Sequence, residues 1–288
     1  MEQDKDRQRK DVERFIKRIP PLSPTVGKVM AICSRTDASP NELNKVISLD
    51  PLLSGQVFKL INSTYYSLVS KVTSLTRAIT MLGMNTVKNL ALSAAVMSAA
   101  SGLQKSKALP AGLFWQHSIA TGVCAKLFGE SAGFSAMERE ELFLAGLLHD
   151  LGKVPFNDEY LDVVRLVEKE QIPFLEAERA LLTSDHEEVG LLIAEKWKLN
   201  TALRECIAHH HNIAGIPDLG ENAVKVGFVA LGDLYANIYD YGFAGNIFPH
   251  EEDLVSLMEF TGINLADFTG IGERIEEEIR QAEVFLSV

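Results

Sequence analysis

The chain has 288 residues, 47% of them hydrophobic and 23% charged, a composition that excludes a disordered protein and allows one large or two modest domains. Its formal net charge of −11 argues against a nucleic-acid binder with a broad basic surface, although bound divalent cations can reverse the local field toward a phosphate-bearing ligand. A charged N-terminus without signal-peptide features, no apolar run near roughly 20 residues, and three widely spaced cysteines predict a cytoplasmic protein with free thiols and no membrane span.

The first 105 residues predict a helical lobe that follows a charged N-terminal segment. Residues 1–18 carry dense charge of both signs and predict a solvated segment. Ser39 and Asp50 each precede a proline, the pattern of a helix N-cap followed by proline at the first helical position. Because alternating strand patterns are absent, residues 19–105 are predicted to be all-helical. Their basic residues are scattered, which disfavours DNA binding against a packing or partner-binding role.

The second half continues the helical pattern after a polar stretch at residues 102–110. We predict a multi-helix core over residues 110–245 and a helical tail over residues 246–288. The predicted fold class is therefore all-α, with the N-terminal lobe packed on this core. The apolar periodicity places the core helices near residues 112–128, 138–149, 159–170, 174–182, 185–198, 201–211 and 221–240.

Five of these helices carry a histidine or an aspartate within the apolar face that should be buried. Burying such groups among leucines is costly unless each of them finds a partner. The five residues are His117, His149, His186, His210 and Asp233, with Asp150 next to His149 and His211 next to His210.

Each of these residues also has an ordinary structural explanation. A single histidine on an apolar face is commonly a core residue that bonds a backbone carbonyl, and Asp233 can pair with Lys153 or Arg204. His186 can belong to an N-terminal capping box that begins at Ser184. One shared metal centre nevertheless explains five independent exceptions together, and we favour that interpretation.

The ligand types indicate which chemistry such a centre supports. Imidazoles and carboxylates without thiolates suit iron, manganese, zinc, cobalt or nickel, so we predict one or two divalent ions of this group. The two oxygens of Asp150 can bridge two ions, as sites that generate a hydroxide nucleophile and clamp a phosphoryl group require. Lys153 follows one turn later, where an ammonium can offset phosphate charge or orient the nucleophile. Asp150 and Lys153 are therefore the predicted catalytic residues.

The order of these residues resembles the HD superfamily of metal-dependent phosphohydrolases, whose signature is H…HD…D. Lys153, at the end of the run His149-Asp150-Leu151-Gly152-Lys153, also matches. His186 and the following histidine pair are similar to the two-metal HD-GYP branch, whose members hydrolyse cyclic di-GMP. Carried over by position, the resemblance implies one ion on His117, His149, Asp150 and Asp233, and a second on Asp150, His186, His210 and His211.

The N-terminal lobe resembles a different branch, the HDOD family (HD-related output domain) of bacterial signalling proteins. The resemblance covers about residues 15–240 and implies an all-helical regulatory module. Many members of that family have lost the metal ligands, whereas this sequence keeps them. The matching motifs are Leu22-Ser23-Pro24, Asp50-Pro51-Leu52-Leu53, Leu60-Ile61-Asn62-Ser63 and Ser74-Leu75-Thr76-Arg77-Ala78-Ile79-Thr80-Met81-Leu82-Gly83.

Departures from the HD-GYP pattern limit what that resemblance implies. The chain continues past His211 as Asn-Ile-Ala-Gly-Ile-Pro, without the tyrosine of the family loop, which argues against cyclic di-GMP as the substrate. Leu113 stands where some members carry a glutamate for a third metal, so at most two ions are expected. The three consecutive histidines allow two registers, and helix phase favours His210 and His211 over His209.

These observations predict a stand-alone bacterial signal-transduction protein that retains a mononuclear or dinuclear metal site. Two alternatives stay open: a metal-dependent phosphohydrolase acting on a nucleotide or cyclic dinucleotide, and a metal-free protein-interaction module. The expected partners are a nucleotide or other phosphate-bearing ligand and a signalling protein, with neither membrane nor DNA.

Overall fold

The computed structural model describes residues 12–17, 19–68, 71–101, 107–156, 159–250 and 252–287. Within these ranges the chain is helical and forms no β-strand, so the all-α prediction is confirmed. Residues 1–11 and 18 of the predicted charged segment, and residues 102–106 of the predicted polar stretch, lie outside the described residues.

The helices follow one another along the chain with short connections. Four 3-10 helices stand between or after them, at Thr64–Tyr66, Leu151–Lys153, Ile213–Asn222 and Glu283–Ser287. The α-helices are α1 (residues 12–17), α2 (Pro24–Cys33), α3 (Pro40–Ile47), α4 (Pro51–Ile61), α5 (Leu75–Leu82), α6 (Met84–Ser101), α7 (Ala111–Ser131), α8 (Ala136–Leu148), α9 (Glu159–Glu170), α10 (Phe174–Leu181), α11 (His186–Lys196), α12 (Thr201–His209), α13 (Ala223–Ile238), α14 (Asp253–Thr261), α15 (Leu265–Gly270) and α16 (Gly272–Ala282).

The starts of α3 and α4 follow the cap signals in the sequence. Ser39 Oγ accepts a hydrogen bond from the backbone N–H of Glu42 at 3.2 Å, and Asp50 Oδ1 accepts one from that of Leu53 at 3.0 Å. Each cap is followed by a proline at the first helical position, where the missing N–H removes no helical hydrogen bond. Both predicted helix starts are confirmed.

The chain divides into two compact units. The first comprises Met1–Ile19 and Leu103–Ile275, and the second comprises Pro20–Gly102 and Glu276–Val288. In the second unit the buried ring of Phe285 lies nearly perpendicular to that of Tyr65, with 5.5 Å between centroids. The four-part division predicted from the sequence stays a prediction.

The first unit is built around α7, which packs against both α8 and α13. The two backbones of α7 and α8 come close at a pair of glycines, where a Cβ added to Gly146 would lie 2.6 Å from the Cα of Gly122. Because no side chain separates the helices there, they approach closely along this face. The rings of His117 and His149 consequently lie with their centroids 5.4 Å apart.

Several helices of this unit end earlier than their periodicity predicts. The predicted helix 138–149 ends at Leu148, and the predicted helix 201–211 ends at His209. After α8 the backbone tightens to i→i+3 hydrogen bonds, with the N–H of Lys153 donating to the carbonyl of Asp150 at 2.9 Å. Of the polar residues expected inside helical faces, His149 and His210 therefore lie just past helix ends. His117 and Asp233 lie inside α7 and α13.

None of the described helices combines the length and the apolar character that crossing a bilayer requires. The three cysteines are free thiols, as predicted, and Cys124 and Cys206 are buried in the first unit.

Candidate metal centre

One group of potential ligands lies where α7, the end of α8 and α13 meet. His117, His149 and Asp150 present one ligand atom each, and these atoms lie within 4.8 Å of one another. Asp233 on α13 joins them, because its Oδ1 is 2.9 Å from His117 Nε2 and 3.4 Å from His149 Nε2. All four side chains are buried. The structure thus gathers the four residues that the resemblance assigns to one ion.

A second group lies on the other side of Asp150. Asp150, His186, His210 and His211 again offer ligand atoms within 4.8 Å of one another. Asp150 Oδ1 lies 3.5 Å from His186 Nε2 and 3.6 Å from His210 Nε2. His209 belongs to neither group and lines a cavity that His211 also borders. The structure therefore brings His210 and His211 into the group in the register that helix phase favours.

Asp150 stands between the two groups with one oxygen toward each. Its Oδ2 faces the first group, 3.3 Å from His149 Nε2, and also accepts a hydrogen bond from Lys153 Nζ at 2.8 Å. Lys153 is only 3% exposed, and its ammonium lies 4.9 Å from the ring centroid of Phe174. This placement makes Lys153 a counter-charge that holds Asp150 in position.

Outer hydrogen bonds turn three histidine rings so that Nε2 points inward. His149 Nδ1 lies 2.7 Å from the carbonyl oxygen of Gly146, and His210 Nδ1 lies 3.0 Å from that of Cys206. His186 Nδ1 contacts the carboxyl group of Glu178. Metal-binding histidines in proteins are held in this way, because the outer bond fixes the tautomer and the ring orientation.

The charges of the first group follow from its two carboxylates. Burial disfavours the imidazolium of His149, but Asp150 and Asp233 outweigh this effect and raise its pKa to about 10. Burial would raise the pKa of Asp150, yet His149 and Lys153 hold it well below its ordinary value. The site therefore keeps ionised carboxylates, the form that binds cations.

The second group holds neutral imidazoles. Burial, followed by the nearby Lys153 charge, holds the pKa of His186 well below its ordinary value. Burial and the neighbouring His210 do the same for the pKa of His211. Neutral rings are the form that binds metal, so these two histidines are ready to act as ligands at neutral pH.

Two buried atoms in the cluster lack a hydrogen-bond partner, and both point to a missing cation. His149 Nε2 and Asp150 Oδ1 are fully buried, and neither makes a hydrogen bond of acceptable geometry. Buried polar atoms without partners are costly, and a metal ion would satisfy both. The donor set of five imidazoles and two carboxylates fits a divalent transition metal, so the cluster can hold one.

The ordinary explanations offered by the sequence match the contacts only in part. His149 and His210 do bond backbone carbonyls through Nδ1, but their Nε2 atoms face Asp150. Asp233 pairs with His117, and Lys153 pairs with Asp150. Asp185, not Ser184, caps α11, because its Oδ1 accepts from the N–H of Glu188 at 3.0 Å. The contacts therefore place the cap at Asp185 and not at Ser184, although His186 does lie in the first turn of α11, as that alternative proposed.

Gly152 brings the two groups together. A Cβ added at this position would lie 1.8 Å from the carbonyl oxygen of His186 and 2.5 Å from the backbone nitrogen of Gly190. The turn that carries Asp150 and the start of α11 are thus in direct backbone contact. Only glycine permits this approach, which places His186 beside Asp150.

Glu178 is a residue of the site that the sequence interpretation missed. It is fully buried on α10, between Tyr160 and His186. Burial raises its pKa to about 8, although Lys153 and Tyr160 oppose the shift. Glu178 follows Phe174 by four residues and so lies on the apolar face of α10, the same signal that identified the histidines.

A cavity of about 150 Å³ borders the second group. His210, His211 and Asp233 form its inner wall, and Arg179 lines it as well. Arg179 also contacts Asp185 and Glu187 through its guanidinium. A small anionic group can therefore reach the cluster from this side, with the guanidinium of Arg179 beside it. Apolar residues form part of the remaining wall, among them Leu175, Ile213 and Leu257, and the acidic residues Glu176 and Asp253 line it as well.

Metal affinity is expected to rise with pH well above neutrality. His149 must lose its proton before Nε2 can bind an ion, and its pKa is about 10 in the protein without metal. One released proton gives about a tenfold gain in affinity per pH unit between pH 7 and pH 9, whereas a histidine of ordinary pKa, about 6.5, gives a flat profile there. Competition with a chelator of known pH dependence measures this slope. The exposed His250 provides the control, since His250→Asn should keep the slope, and a flat wild-type profile would contradict the assignment.

This chain is similar to known proteins over most of its length. The HDOD domain model matches residues 19–213. A Treponema pallidum (strain Nichols) protein described as uncharacterized is 25% identical over 246 residues, 84% of this chain, and this chain spans only 46% of that protein's length.

Solved structures share the fold along nearly the whole chain. An HDOD domain protein with unknown function from Geobacter sulfurreducens has a TM-score of 0.77 and 25% identity, over 97% of this chain and 98% of the other. A Shewanella amazonensis SB2B protein named "Putative phosphohydrolase" has a TM-score of 0.70 and 20% identity, over 96% and 98% of the two chains. With an HDOD match that spans most of the chain and an all-helical structure of the same fold, this protein belongs to the HDOD family.

Proposed function

We propose that this HDOD protein is a signalling protein whose buried centre binds one or two divalent metal ions and hydrolyses a phosphate ester. The position of Asp150 carries the proposal, because its two oxygens face two separate sets of histidines. When bound there, divalent ions would supply Lewis acidity and a nucleophile from water at neutral pH.

The residues of the chain divide the remaining work. Asp150 would contact both ions, and Lys153 holds its Oδ2. Lys153 is not among the residues that line the cavity, so its proposed role is to position Asp150. Arg179 lines the cavity beside His211, and its guanidinium can form an ion pair with a phosphate group. The proposed ligands are His117, His149, Asp150 and Asp233 for one ion and Asp150, His186, His210 and His211 for the other.

The substrate is proposed to place only its phosphate group in the cavity. A cavity of about 150 Å³ is smaller than the roughly 300–1,000 Å³ of pockets that enclose a drug-sized ligand. The rest of a nucleotide would stay outside, near the cavity mouth. The name of the Shewanella amazonensis protein supports the same class of chemistry, on the basis of a shared fold.

The small cavity also favours a second candidate, a regulatory module that holds metal and a phosphate-bearing ligand without turnover. The ligands are almost fully buried, which leaves little room for an attacking water and a leaving group together. Such a module would pass its signal to a protein partner. A metal-free interaction module is the third candidate.

Turnover of bis(4-nitrophenyl) phosphate separates the first two candidates. The protein, loaded in turn with Mn²⁺, Fe²⁺, Zn²⁺, Co²⁺ and Ni²⁺, is expected to release nitrophenolate with at least one of these metals. Asp150→Asn should reduce the rate to background, because both sets of ligands lose their shared carboxylate. The control Asp162→Asn changes an exposed aspartate on α9 and should leave the rate unchanged. Metal binding without turnover for every metal would support the regulatory module.

A further inference from the structure

A buried hydrogen-bond chain runs from α9 through α10 to α11 and ends at the second group of ligands. Tyr160 donates its hydroxyl to Glu178 Oε1 at 2.6 Å, and the other oxygen of Glu178 meets His186 Nδ1. All three side chains are fully buried. Each member comes from a different helix, so the chain fixes the ring of His186 from outside its own helix.

Glu178 differs from the other outer partners of the cluster. His149 and His210 bond backbone carbonyls of their own chain segments, which any sequence provides. His186 lies at the first position of α11, and its outer partner is a side chain eight residues earlier. Its orientation therefore depends on one particular residue, and that residue depends on Tyr160 for its own position.

We infer that Glu178, held by Tyr160, is a positioning residue that sets the affinity of the second metal position alone. The contact fixes His186 Nε2 toward Asp150 Oδ1, 3.5 Å away, on the side away from the first group. Loss of an outer partner of this kind typically costs about 10–100-fold in metal affinity. The inference rests on the metal centre of the proposed function but not on turnover.

The test uses a pair of substitutions that keeps the interior packed. Tyr160→Phe/Glu178→Leu replaces both buried polar groups with apolar ones, so no hydroxyl or carboxylate is left unpaired. Calorimetric titration of metal into chelator-treated protein should show one ion bound about 10–100-fold more weakly and the other unchanged. Glu178→Gln retains an oxygen that can accept from Nδ1 and should restore most of the affinity. Glu141 on α8 pairs with Lys225 and is not a member of the hydrogen-bond chain. Glu141→Gln is therefore the control and should bind metal like the wild type.

Nitrogen-15 NMR of the histidine rings gives a readout that does not need metal. Wild-type His186 should show a single tautomer with its proton toward Glu178, and the double variant should show exchange between tautomers. Equal weakening of both ions, or unchanged binding of both, would overturn the inference. A wild-type protein with no second ion would also overturn it. A failure of phosphodiester turnover would leave these binding and NMR results intact, and so the two proposals fail separately.

Discussion

Removal of the Asp150 carboxylate is expected to empty both halves of the metal centre. The two ligand groups share Asp150. Its loss should therefore lower metal affinity by more than the factor of about 10–100 that follows loss of an outer partner. Asp150→Ala alone would leave the ammonium of Lys153 buried and unpaired, which would lower the stability of the protein by about 3–5 kcal/mol. The variant to prepare is therefore Asp150→Ala/Lys153→Met. Elemental analysis of protein purified without chelator or metal-affinity tag gives the metal content.

Asp162→Asn is the control for this experiment. It changes an exposed aspartate on α9, leaves Lys153 and every proposed ligand in place, and should keep the wild-type metal content. A metal content near two equivalents in the wild type would support a dinuclear site, and a content of about one equivalent would contradict a second ion. A double variant that retains its metal would show that the ions bind elsewhere. A wild type without metal, even after reconstitution, would leave the histidines as structural residues and favour the metal-free module.

Gly152→Ala is expected to disrupt the site without changing any ligand. The new methyl group would meet the backbone of His186 and Gly190, and a backbone cannot rotate away as a side chain can. The turn and α11 must therefore separate, which moves Asp150 away from His186. Overpacking of this kind typically costs about 1–3 kcal/mol. Urea unfolding measures the loss of stability, and titration measures the accompanying loss of metal affinity.

Gly112→Ala is the comparison for this substitution. Gly112 lies on α7 in the same unit, and a Cβ there meets nothing within 4 Å. The free energy of unfolding of this variant should stay unchanged or rise by up to about 1 kcal/mol, because alanine is favoured over glycine in a helix. If Gly152→Ala proved equally mild, the close approach would not be what holds the two groups together.

Local signals in the sequence were sufficient for the helices and for the list of candidate ligands. Ser39 and Asp50 were read as caps because a cap depends on a side chain and a backbone N–H three residues away. His117 and Asp233 were found because a polar residue inside an apolar helical face is visible from periodicity alone. Glu178 satisfies the same criterion, because it lies on the apolar face of α10.

The tertiary structure decided how those residues meet. No local signal shows that α8 ends before His149, that Gly152 touches the start of α11, or that Asp150 directs one oxygen to each group. The same holds for His210 and His211, whose positions past the end of α12 come from packing against α11 and α13. Periodicity and capping act within about one helical turn, whereas the approach of helices distant in sequence depends on the shapes of whole faces. The sequence by itself therefore determined which residues can bind metal, and only the packing of the helices determined that they form one centre around Asp150.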